Sequence, residues 1–117
     1  MKITIYHNPR CGKSRQTLAL LEARGIKPAV VEYLKTPPDA ATLKALLKKL
    51  GLKPRQLLRT KEAAYQDAGL DNPALNDEAV IEAMLAHPIL IERPIVVIGD
   101  KAALGRPPEN VLAILPR

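Results

Sequence analysis

Lys2-Ile3-Thr4-Ile5-Tyr6-His7-Asn8-Pro9-Arg10-Cys11-Gly12-Lys13-Ser14-Arg15 is the stretch on which the reading of this chain turns. Alternation and β-branched residues from Lys2 to Tyr6 predict a strand. His7, Asn8 and Pro9 then break it. Good helix formers run from Lys13 to Arg24, and Gly25 stands where a helix stop is expected. Cys11 therefore falls at the mouth of a helix. Backbone N–H groups there lack intrahelical partners, and the helix dipole favours negative charge. Arg10, Lys13 and Arg15 add positive charge, with His7 close in sequence. Such a setting favours the thiolate, which is the nucleophilic form of cysteine. The competing reading is a buried Cys acting as a small apolar residue. Neighbours such as Arg10, Gly12 and Lys13 do not describe an apolar core.

Working outward, Ala29 to Tyr33 predicts a second strand. Thr36-Pro37-Pro38-Asp39 reads as a helix start, with Thr36 as N-cap and Pro37 in the first turn. Leu43, Leu46, Leu47 and Leu50 follow at helical spacing until Gly51. The stretch from Lys53 to Pro73 is turn-rich and has room for short helices. Asn76 or Asp77 caps a further helix that buries Val80, Ile81, Met84 and Leu85, and His87-Pro88 closes it. Pro94 to Ile98 is the most apolar β-branched run and predicts a central strand with Pro94 at its start. A turn at Gly99-Asp100 leads to a short strand over Ala102 to Leu104. Pro107 to Leu115 reads as a terminal helix. The order predicts an α/β fold with a mixed sheet flanked by helices. It has the outline of a thioredoxin-like fold, taken as a single domain over residues 1–117 with a helical insertion at about 36–87 between its halves.

Composition bounds the chemistry. The chain has 117 residues, 47% of them hydrophobic, which suits one folded core and excludes a disordered chain. It has no Trp and no Phe, so that core is aliphatic. A single cysteine excludes an intramolecular disulfide and a zinc-binding cysteine cluster. No signal-peptide pattern and no run of membrane-spanning length is evident. A reducing cytoplasm is the expected compartment. The net charge of +6 comes from scattered Lys and Arg, and aromatic residues are too few for base stacking. A small anionic substrate accounts for the charge better than nucleic acid does.

Three familiar loops fail against the same residues. A phosphate-binding P-loop ending in Gly12-Lys13-Ser14 needs a glycine where His7 stands. A tyrosine-phosphatase loop needs an arginine where Thr17 stands. A dithiol redox motif needs a second cysteine where Ser14 stands. What remains is a monothiol Cys-x-x-Ser turn. Ser14 can donate a hydrogen bond to the sulfur but cannot resolve a disulfide, so an external thiol must release any adduct. Three arginines complete the candidates: Arg59 in Leu57-Leu58-Arg59, Arg93 just before the central strand, and Arg106 at the start of the last helix. Guanidinium groups bind tetrahedral oxyanions in fork geometry.

The motifs His7-Asn8-Pro9-x-Cys11-Gly12-x-Ser14-Arg15, Leu57-Leu58-Arg59, His87-Pro88-Ile89-Leu90-Ile91-x-Arg93-Pro94-Ile95-Val96-Val97 and Arg106-Pro107 occur in that order. In this the chain closely resembles the glutaredoxin-coupled arsenate reductases, over nearly its whole length. The resemblance implies a thioredoxin-like fold in which Cys11 attacks arsenate. It implies that His7 helps activate Cys11, that Ser14 hydrogen-bonds to it, and that Arg59, Arg93 and Arg106 hold the oxyanion. It implies a cis bond before Pro94. Glutathione serves as co-substrate, glutaredoxin regenerates Cys11, and neither a metal nor a tightly bound cofactor takes part. Lys13 departs from the family pattern, which often has a small hydroxyl residue there. Other readings are a glutathione-dependent thiol reductase of other substrates, a transcriptional regulator similar to Spx, and a domain with an inert cysteine. Ser14 removes the two-cysteine switch such regulators usually carry.

Overall fold

Strand β1 (Ile3–His7) pairs in parallel with β2 (Ala29–Glu32) and antiparallel with β3 (Ile95–Ile98), which in turn pairs antiparallel with β4 (Lys101–Leu104). The computed structural model describes residues 2–115. The sheet order β2-β1-β3-β4 is the mixed α/β sheet expected of a thioredoxin-like fold, with β1 and β3 central. Helix α1 (Gly12–Ala23) links β1 to β2.

The period of two along the strands decides which residues meet. Ile5 lies opposite Val96 and Ile3 opposite Ile98, so these four share one face of the sheet. Leu21 of α1 and Val111 join Ile5, Val96 and Ile98 in a buried cluster, with Ile3, Leu18, Ile26 and Ile114 packed against it. Each such aliphatic side chain contributes about 1.5–3 kcal/mol when fully buried. Gly25 ends α1 in the left-handed region (φ 75°), where the Ile26 N–H reaches back to the Leu21 carbonyl at 3.0 Å.

Two compact units are distinguishable, one of Met1–Thr36 with Arg93–Arg117, the other Pro37–Glu92. The second unit holds the helical insertion. It contains α2 (Ala40–Leu50), α3 (Ala63–Asp67) and α4 (Asp77–Ala86), with 3-10 turns at Pro54–Leu57 and Pro88–Leu90. Leu43, Leu46 and Leu47 of α2 and Val80, Ile81 and Met84 of α4 are buried, and the two helices pack together. Leu85, expected inside, is only partly buried. An isolated bridge joins Leu58 to Ile91, and the Arg59 N–H donates to the Leu90 carbonyl at 2.8 Å. That bridge extends the insertion beyond the end of α4.

Two expected helix boundaries shift. Helix α2 is capped by Asp39, not Thr36, and the Asp39 carboxylate accepts from the Thr42 N–H at 2.8 Å. Thr36 and Pro37 each precede a proline, which disfavours helical backbone until Pro38 is passed. Asn76 caps α4 as expected. The terminal segment is a 3-10 helix over Pro108–Ile114, with Pro107 outside it. Its three-residue turn places Pro108, Val111 and Ile114 in one row. Val111 is fully buried in the sheet unit's core, and Ile114 packs against it. Among the described residues no helix is long and apolar enough to cross a membrane.

Candidate active site

The loop between β1 and α1 is tied down by its own backbone. The Cys11 N–H donates to the Asn8 carbonyl at 3.0 Å, and the Arg10 N–H donates to Asn8 Oδ1 at 3.0 Å. The Asn8 N–H donates to Ser14 Oγ at 3.0 Å. Arg15 reaches back through Nη1 to the Pro9 carbonyl at 2.9 Å. Cys11 thereby becomes the N-cap of α1, in extended backbone (φ −91°, ψ 123°).

That position governs the thiol. Burial pushes the Cys11 thiol up, but the Ser14 N–H, the Arg93 guanidinium and the Lys13 N–H outweigh it. The net effect holds Cys11 below the ordinary thiol range. Two of these donors are the backbone groups expected at a helix N-terminus; the third arrives from the other end of the chain.

Ser14 plays a different part from the expected one. Its buried hydroxyl lies 2.6 Å from His7 Nδ1 and accepts from Asn8. The Ser14 N–H, not the hydroxyl, acts on Cys11. A buried hydroxyl and a buried imidazole both need partners, and here they satisfy each other. His7 is 6% exposed. Burial lowers its pKa, Glu32 opposes that and Arg15 adds to it, with a net lowering. The shift favours the neutral imidazole, and His7 joins the loop through the Ser14 hydroxyl. A cavity of about 220 Å³ lies beside this loop, lined by residues 7–10 and by Glu32, Leu34 and Lys35.

Arg93 is 8% exposed and precedes a cis Pro94. Its guanidinium hydrogen-bonds to the Cys11 sulfur. Arg106 donates from Nη1 to the Arg93 carbonyl at 3.2 Å, and the Arg106–Pro107 bond is also cis. The structure thus joins Cys11, Arg93 and Arg106 into one chain of contacts. Arg59 belongs to the insertion. There it donates from Nε to Glu62 at 3.1 Å and from Nη1 to Glu92 at 2.8 Å.

Asn8, Thr17 and Gly105 were not among the residues singled out from sequence. The Gly105 N–H donates to the Pro94 carbonyl at 2.9 Å. A Cβ on Gly105 would overlap Thr17 Oγ1 and come within 2.7 Å of Pro94 Cγ. The Asn-Pro pair and the Gly before Arg106 were the available signals. Among the described residues no group of three or more His, Cys, Asp or Glu could hold a metal ion.

An uncharacterised Escherichia coli K12 protein, YfgD, is 55% identical over 97% of this chain and 97% of its own. An arsenate reductase of Neisseria meningitidis serogroup A is 53% identical over 97% of this chain and 98% of its own. The solved structure of an arsenate reductase from Vibrio cholerae superposes with a TM-score of 0.95 at 52% identity, covering 98% of each chain. Residues 6–114 match the ArsC family, and the chain belongs to it.

Proposed function

We propose that this protein is an oxidoreductase of the cytoplasm that reduces arsenate to arsenite with glutathione and glutaredoxin. The observation that carries the proposal is the placement of the Cys11 sulfur against the Ser14 and Lys13 N–H groups and the Arg93 guanidinium. This arrangement favours the thiolate over the thiol and offers donors to an oxyanion brought against it.

In the proposed reaction the Cys11 thiolate attacks arsenic(V), and one arsenate oxygen leaves as water. Arg93 and Arg106 hold the remaining oxygens. Arg59 is the third proposed anion ligand, and its contacts with Glu62 and Glu92 must loosen for it to act. A glutathione thiolate then attacks the Cys11 sulfur. The sulfur–arsenic bond breaks, its electron pair stays on arsenic, and arsenic(III) departs as arsenite. A mixed disulfide between Cys11 and glutathione remains. A glutaredoxin thiol takes over the glutathionyl group and frees the Cys11 thiolate. Ser14 cannot carry out that last step, because its hydroxyl forms no disulfide. His7 and Ser14 support the loop that holds Cys11. The chemistry calls for no metal and no resident cofactor.

The test is arsenite formation by purified protein supplied with arsenate, glutathione and glutaredoxin. The wild-type protein should turn over, and Cys11→Ser should lose all activity while keeping its fold, because a hydroxyl is a far weaker nucleophile than a thiolate. Turnover of a disulfide substrate without any arsenite would favour a thiol reductase instead.

A further inference from the structure

Asn8 is 4% exposed and engages the loop at three points. Its Oδ1 accepts from the Arg10 N–H, its carbonyl accepts from the Cys11 N–H, and its own N–H donates to Ser14 Oγ, each at 3.0 Å. Asparagine suits the place because its short amide can accept from the backbone two residues on. The consequence lies in how the loop's N–H groups are shared out. Those of residues 8, 10 and 11 are all consumed inside the loop. Those of Lys13 and Ser14 are left to face the sulfur.

We propose that Asn8 is a positioning residue for Cys11, fixing the peptide of residues 10–11 so that the sulfur meets the Lys13 and Ser14 N–H groups and the Arg93 guanidinium together. Without the Asn8 amide, the Arg10 N–H loses its acceptor and the turn into Cys11 loses its brace. The Cys11 and Ser14 contacts of Asn8 are backbone contacts and survive truncation, so the loop softens without collapsing. Arg93, the charged side chain that acts on the sulfur, stays in place ahead of β3, as do His7, Arg10, Lys13 and Arg15 of the same loop segment. The inference deepens the proposed arsenate reaction, and it rests on that reading only for its kinetic consequence.

The experiment is the pH dependence of Cys11 alkylation by iodoacetamide, measured on folded wild-type, Asn8→Ala and Asn8→Ser proteins. It requires no arsenate. Asn8→Ala should move the inflection upward and slow alkylation at pH 7 by about three- to tenfold, since the rate follows the thiolate fraction. Asn8→Ser retains a weaker acceptor of the same kind and should fall between wild type and Asn8→Ala. In the arsenate assay the loss should appear in kcat with the arsenate KM unchanged, because the arginines are untouched. An Asn8→Ala protein that folds and alkylates with the wild-type inflection overturns the proposal. If Asn8→Ala fails to fold, Asn8→Ser decides: an inflection above wild type supports the proposal, and one equal to it overturns it. A wild-type protein that never reduces arsenate would refute the proposed function and leave the alkylation result to judge Asn8.

Discussion

Arg93 and Arg59 carry the same side chain, and the protein holds them in opposite ways. Arg93 is 8% exposed and directs its guanidinium at the Cys11 sulfur. Arg59 has a side chain 22% exposed and faces two carboxylates, Glu62 at 3.1 Å and Glu92 at 2.8 Å. Burial works against the charged form of Arg59, but Glu62 and Glu92 outweigh it and raise its pKa. The difference separates two uses of positive charge. At Arg93 the charge helps create an anion within the protein itself, the thiolate. At Arg59 the charge is matched by acidic neighbours, so an incoming anion must compete with them. An arginine beside a nucleophile is therefore expected to act on rate, and one already neutralised by carboxylates on affinity.

The sharpest way to break this comparison is to exchange each arginine for lysine. Arg93→Lys keeps a charge and loses the planar fork. One charge-assisted hydrogen bond is worth about 1.5–3 kcal/mol, so turnover efficiency should fall about ten- to hundredfold, with kcat affected. Arg93→Gln should also move the Cys11 alkylation inflection upward, because a donor that lowers the thiol's pKa is removed. The acid limb of the activity profile should shift to higher pH with it. Arg59→Lys should raise the arsenate KM and leave the alkylation inflection where it was. An Arg59→Lys protein whose inflection moves as far as that of Arg93→Gln would erase the distinction.

A smaller effect is expected at the point where the Arg93 and Arg106 segments meet. Gly105→Ala forces a methyl group against Thr17 and Pro94. Overpacking of this kind costs about 1–3 kcal/mol. Thermal or denaturant unfolding should show the loss. If the protein tolerates Gly105→Ala at full stability, the close packing of Gly105 against Pro94 is not a constraint on the site. The smallest effect belongs to the insertion. Asp39→Ala removes an exposed N-cap and should lower stability slightly. Chemical denaturation would measure it, and the Cys11 alkylation profile should not change. Thr36→Ala should leave stability nearly untouched, because Thr36 lies outside α2.

Much of the scaffold was legible because its signals are local. Alternation in Ile3 to Tyr6 marked β1, and the β-branched run after Pro94 marked β3. Gly25 and Gly51 marked helix ends, where both adopt positive φ. Asn76 marked the start of α4. The misreadings were local as well. At Thr36-Pro37-Pro38-Asp39 the threonine was read as the cap, but the restriction on residues before proline moved the helix start to Asp39. At the C-terminus the segment read as a terminal helix is a 3-10 helix that turns Val111 and Ile114 onto the core.

The sequence by itself determined that Cys11 stands at the start of a helix, that no second cysteine can resolve it, and that the strands alternate toward one apolar face. These follow from spacing within a few residues, where turn chemistry and side-chain period leave little choice. Only the tertiary structure decided that Arg93, 82 positions further on in the numbering, donates to the sulfur. It likewise decided that the Ser14 hydroxyl serves His7 while the Ser14 N–H serves Cys11, and that Gly105 must stay bare against Thr17 and Pro94. The physical reason is sheet register. Pairing Tyr6 with Ile95, and Ile95 with Leu104, carries the residues next to each strand end into one place. Nothing in the local sequence around Cys11 records who those neighbours are.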